Sequence, residues 1–110
     1  MIDINKINDV MVISFGNDNK LNVTVTQKIK AEVIKAITPN SKVVLNLSGI
    51  SYIDSTGFGM LLSILRHCKN SNSVLKLCSI SPEVMELIKL LQLQTVFDIK
   101  ESVDDCMKSF

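Results

Sequence analysis

Tryptophan is absent, and the aromatic residues are one tyrosine and four phenylalanines, so any core must be packed from aliphatic side chains. There is one histidine, and the three cysteines, Cys68, Cys78 and Cys106, form no Cys-x-x-Cys pair. That leaves no case for a structural zinc site. An odd number of cysteines set in apolar patterns reads as buried free thiols in a reducing cytosol. No excess of either charge exists either: 12 basic and 11 acidic residues are interspersed, for a net charge of +1. A nucleic-acid surface would need a basic stripe, so no nucleic-acid partner is expected, and no direct membrane binding. No apolar run approaches the roughly 18 residues of a spanning helix, and the N-terminus lacks a signal peptide's long apolar region. A cytoplasmic location is the expectation. Neither a Gly-x-Ser-x-Gly elbow nor a phosphate-binding glycine loop followed by Lys-Ser or Lys-Thr occurs. Repeats, linkers and low-complexity segments are missing too.

What is present is a chain of 110 residues, 46% of them hydrophobic. That is one domain, residues 1–110, able to bury roughly two-thirds of its unfolded surface. Ile2, Ile4 and Ile7 mark a first strand, and Asn8-Asp9 a tight turn into a second over residues 10–15. Gly16 to Lys20 reads as a polar loop. Thr24-Val25-Thr26-Gln27 reads as a capping box, opening a helix whose Val25, Ile29, Val33, Ala36 and Ile37 share a face; Pro39-Asn40-Ser41 stops it. Val43 to Leu47 is a short buried strand. Val74 to Cys78 is another strand, and Ser81-Pro82 opens the next helix as cap and first residue. Val96 to Ile99 forms a last strand, and Ser102 caps a final helix. The order is ββαβαβαβα. Strands alternating with helices require crossovers, so the fold class is α/β: a mixed, mostly parallel sheet with an opening β-hairpin and surrounding helices.

The chain turns on Ser51-Tyr52-Ile53-Asp54-Ser55-Thr56-Gly57-Phe58-Gly59. A strand precedes it, and after it Phe58, Leu61, Leu62, Leu65 and Cys68 recur at helical spacing. Asp54 and Ser55 are both N-cap types. Ser55 therefore sits at the positive end of a helix, a good place to hold a phosphate. Ser55 and His67 are the obvious nucleophile and base. On one helix they stand twelve residues apart, roughly 18 Å, whereas a base must come within about 3 Å of the hydroxyl it deprotonates. No enzyme follows from them, and no metal or cofactor is expected.

Asp54-Ser55-Thr56-Gly57, flanked by Tyr52-Ile53 and Phe58-Gly59, resembles the signature of the bacterial anti-sigma factor antagonists, which are single STAS domains. The similarity can be followed from about residue 10 to residue 100. It implies that Ser55 is the phosphorylation site. It also implies a partner, an anti-sigma factor that is itself a serine kinase using ATP and Mg²⁺, and a phosphoserine phosphatase that resets Ser55. The unphosphorylated form would bind that partner and so free a sigma factor for transcription. One departure stands out: antagonists commonly carry Gly-x-Leu-Asp near the first helix, and here Leu21-Asn22 puts an uncharged Asn22 in the acid's place. The alternative is a STAS scaffold subunit of a larger signalling or transporter assembly. The partner surface expected from the sequence is Asp54, Thr56 and Gly57, with Gly57 letting a partner's backbone approach. Met60 and Ile64 extend it, because on a helical wheel of about 100° per residue they fall beside the apolar face and form a ridge with His67.

Overall fold

The computed structural model describes residues 2–110. Strands β1 (Asp3–Ile7) and β2 (Val10–Ser14) are joined by Asn8 and Asp9 alone. Both turn residues have positive φ, 50° and 67°, the conformation that a two-residue turn needs to match the strands' twist. Ile7 pairs with Val10 and Asp3 with Ser14, antiparallel. A short β3 (Lys20–Leu21) leads to α1 (Thr26–Ala36), followed by β4 (Lys42–Asn46), β5 (Tyr52–Ile53) and α2 (Ser55–Asn70). The chain continues through β6 (Val74–Cys78), α3 (Pro82–Leu90), a 3₁₀ turn at Leu93–Thr95, β7 (Asp98–Lys100) and α4 (Val103–Lys108). The main sheet has the order β1-β2-β4-β6-β7, with every pairing after the hairpin parallel. β3 and β5 pair on their own, parallel, as a second sheet of two strands.

Strand alternation sorts the core into two. Ile13, Val43, Leu45, Leu75 and Leu77 project to one face and pack with Ile29 and Val33 of α1, Leu61 and Ile64 of α2, and Val84 and Ile88 of α3. Val10, Val12, Val44 and Cys78 project to the other and pack with Cys106, Val103 and Met107 of α4. Lys76 lies on this second face and is only 5% exposed. Burying an ammonium is costly without a partner. Here Asp98 accepts from it, and the Phe110 ring centroid lies 4.9 Å from its Nζ. The Lys76 hydrogen bond chiefly, opposed by desolvation and aided by Lys100, holds the Asp98 carboxyl below the usual range. All three cysteines are buried and free.

Caps explain most helix starts. Ser81 accepts from Val84 N–H and Ser102 from Asp105 N–H, as their spacing leads one to expect. Helix α1 differs. Val25 holds its cap position with no side-chain bond, and Thr24 is not the cap. Instead Asn22 organises the entry: its Oδ1 accepts from the Thr24 N–H and hydroxyl, and its carbonyl from the N–H groups of Val25 and Thr26. An Asx turn has outcompeted the capping box. The last strand begins at Asp98 rather than Val96, because the 3₁₀ turn consumes the residues before it.

Candidate functional site

Residues 51–59 run from β5 into α2, and the small sheet fixes the handover. Leu21 pairs with Ile53, and the next N–H, of Asp54, donates to the Leu21 carbonyl at 3.1 Å. Asp54 is the N-cap of α2, in extended backbone. Its Oδ1 accepts from the Gly57 N–H at 3.0 Å and from the Thr56 hydroxyl, and its Oδ2 from the Val23 N–H at 3.2 Å. Thr26, buried in the first turn of α1, donates its hydroxyl to Thr56 Oγ1 at 3.2 Å. Five residues from two distant segments, Val23 and Thr26 with Asp54, Thr56 and Gly57, thus form one clasp. The Thr56 hydroxyl foremost, and the Gly57, Val23 and Thr56 amides, hold the Asp54 carboxyl below its ordinary pKa against a smaller desolvation effect.

Ser55 is the first residue of α2 and is exposed. Among the described residues its hydroxyl has no hydrogen-bond partner. The Thr56 hydroxyl, by contrast, is engaged as donor and as acceptor. Of the two adjacent hydroxyls, only that of Ser55 can meet an incoming phosphoryl group without first breaking a bond. His67 lies on the same helix, roughly 18 Å along its axis, and cannot serve Ser55 as a base. Among the described residues no group of three His, Cys, Asp or Glu could hold a metal ion.

Three of the residues expected on a partner surface are elsewhere. Met60 is 2% exposed and Ile64 0%; both belong to the main core. The physical reason is α1, which packs along α2 as well as the sheet does, so the buried arc is rotated toward Met60 and Ile64. Leu62 and Leu65, on its other flank, are half-buried. The ridge does not exist. Gly57 is buried too, and the room it leaves is filled by the chain itself: a Cβ there would lie 2.5 Å from Ile53 Cγ2 and 2.6 Å from the Leu21 carbonyl oxygen. Asp54 and Thr56 remain at the surface, with Asp54 partly covered. In the sequence Thr26 reads only as part of a capping box and Val23 carries no signal, since nothing local marks contacts made across some thirty residues.

The sequence model of the STAS domain family matches residues 1–106. The chain belongs to the STAS domain family. A STAS-domain containing protein of Pseudomonas aeruginosa is 34% identical over 64 residues, a match spanning 58% of this chain and 62% of that protein. Among solved structures, the fold is similar to an anti-sigma-factor antagonist (STAS) domain protein from Planctomyces limnophilus, at 22% identity and TM-score 0.88, covering 98% of this chain and 95% of that one. It is also similar to the Bacillus cell fate determinant SpoIIAA in its phosphorylated form, at 19% identity and TM-score 0.68, covering 99% and 98%. A sulfate transporter family protein from Wolinella succinogenes shares the fold as well, at 14% identity and TM-score 0.77, covering 93% and 84%. In this STAS domain no helix among the described residues is long and apolar enough to cross a membrane.

The close packing at Gly57 of this STAS domain carries a testable consequence. Gly57→Ala gains helix propensity, but the new methyl meets a backbone oxygen that cannot swing aside. Overpacking of this kind costs about 1–3 kcal/mol, and thermal denaturation is expected to show a Tm lowered by roughly 4–12 °C. An unchanged or raised Tm would mean that β3 and α2 are less tightly apposed than described.

Proposed function

We propose that this STAS domain is an anti-sigma factor antagonist that works by partner switching. Unphosphorylated, it binds an anti-sigma factor that is also a serine kinase, in the cytoplasm, and frees a sigma factor for transcription. The kinase, using ATP and Mg²⁺, transfers a phosphoryl group to Ser55 and is thereby released; a phosphatase resets the site. The domain itself catalyses nothing: Ser55 is a substrate. Asp54 and Thr56 rim the docking surface, and Asn22, on the loop before α1, brings no charge to it. The observation that carries this reading is the exposed, unbonded hydroxyl of Ser55 at a helix N-terminus beside a Thr56 whose hydroxyl is committed.

Incubation with the candidate kinase, ATP and Mg²⁺, followed by phosphosite mapping, is expected to place the phosphate on Ser55 alone. Modification confined to Thr56 or to another serine sinks the assignment. The likeness to a sulfate transporter family protein favours a second reading, a scaffold subunit of a larger assembly. Co-purification separates the two: a small ATP-binding kinase supports the first, a membrane or multi-subunit complex the second.

A further inference from the structure

We propose that the groove between α1 and α2 receives an acidic segment of the partner, laid over Gly59. This rests on the partner-switching reading and specifies where and by what chemistry the partner is held. Gly59 is exposed in the second turn of α2, and a Cβ placed there meets nothing within 4 Å. Glycine is the poorest helix-interior residue after proline, and alanine would fit here untouched. Gly57 is required by the chain's own packing; Gly59 is required by nothing inside the molecule. The space above it opens into a cavity of about 310 Å³, flanked by Gln27 and Lys30 from α1 and by Thr56, Gly59 and Ser63 from α2.

Lys30 is the one charged residue in that lining, and among the described residues its ammonium forms no ion pair. With an amide at Gln27 and a hydroxyl at Ser63, the lining offers donors to a carboxylate, and the acid at its edge, Asp54, is already taken up by the amides of Val23 and Gly57 and the Thr56 hydroxyl. The bare Gly59 backbone lets an extended chain lie close. Thr56 belongs both to this lining and to the Asp54 clasp, so the groove is continuous with the Ser55 site. A phosphate on Ser55 carries the sign of the docked segment and repels it. Retention and release then turn on charge at adjoining sites.

The test measures affinity of the unphosphorylated domain for the purified kinase that modifies Ser55, alongside thermal denaturation. Gly59→Ala is expected to raise Tm by about 3 °C yet weaken binding about tenfold or more. Lys30→Glu is expected to weaken binding about tenfold or more with a flatter salt dependence, while Lys30→Arg binds like the wild type. If either Gly59→Ala or Lys30→Glu binds like the wild type while Ser55 is still phosphorylated, the groove is overturned and partner switching stands. A Gly59→Ala protein of lowered Tm also overturns it, because Gly59 is then structural. If no kinase binds the wild-type domain, both proposals fall together.

Discussion

Ile64→Lys is expected to leave the domain unfolded at room temperature, as read by far-UV circular dichroism and urea titration. Ile64 is 0% exposed and sits in the main core between α1, α2 and the sheet. A lysine there has no acid to meet. It must either hold an unpaired charge, at several kcal/mol even after relaxation, or lose its proton with its pKa pushed far down by burial. To this is added the lost packing of a branched aliphatic side chain. The sum is on the order of 5 kcal/mol or more, against a total stability of about 5–15 kcal/mol for a typical domain. Met60→Lys should be milder, because Met60 also floors the groove beside α1 and a lysine stem can run outward to water. Met60→Leu, which keeps the volume, should cost less than about 1.5 kcal/mol. An Ile64→Lys domain that melts within a few degrees of the wild type would return Ile64 to the surface.

Phosphorylation of Ser55 is expected to weaken partner binding more than a hundredfold while leaving the fold in place. At the N-terminus of α2 the phosphate gains about 0.3–2 kcal/mol from the helix dipole, opposed by the neighbouring Asp54 carboxylate. Asp54 cannot readily turn away, since three donors hold it. The free domain should therefore show little change in Tm. At an interface the balance differs: a group of about −1.5 to −2 charge must be desolvated or face like charge, and a loss of only about 3 kcal/mol exceeds a hundredfold in affinity. Ser55→Ala should bind like the unphosphorylated protein. Ser55→Asp should bind poorly, though one carboxylate imitates a phosphate imperfectly. Equal affinities of the phosphorylated and unphosphorylated forms would end the partner-switching reading.

The fold was legible where the signal is local. Asn8-Asp9 dictates a tight hairpin, and Ser81 and Ser102 announce their helices through bonds made within three residues. It was illegible where two-residue strands gain meaning only by pairing: Lys20–Leu21 and Tyr52–Ile53 carry too few residues for any periodicity. The site divides the same way. The helix start at Ser55 and the cap at Asp54 could be picked out from adjacent residues. The wheel of α2 failed at Met60 and Ile64 because it assumes one buried contact, the sheet, whereas α1 supplies a second. Gly57 reads from the sequence as room for a partner's backbone, whereas what fills that room is the chain itself, Ile53 nearby and Leu21 36 positions earlier. Lys76 reads from sequence as an ordinary polar position in a strand; only tertiary pairing with Asp98 makes its burial tolerable.

Because the clasp around Asp54 draws on Val23 and Thr26 as well as Thr56 and Gly57, the surface that presents Ser55 is assembled from two separate stretches of chain. A synthetic nonapeptide of residues 51–59 would carry every letter of the motif and little of its shape: no β3 to hold its first residues extended, no amide from Val23 to orient the carboxylate, no α1 against which to coil. An enzyme that read this surface would discriminate between states of folding as well as between sequences. Transplanting the motif onto another scaffold would accordingly require both stretches to be moved together.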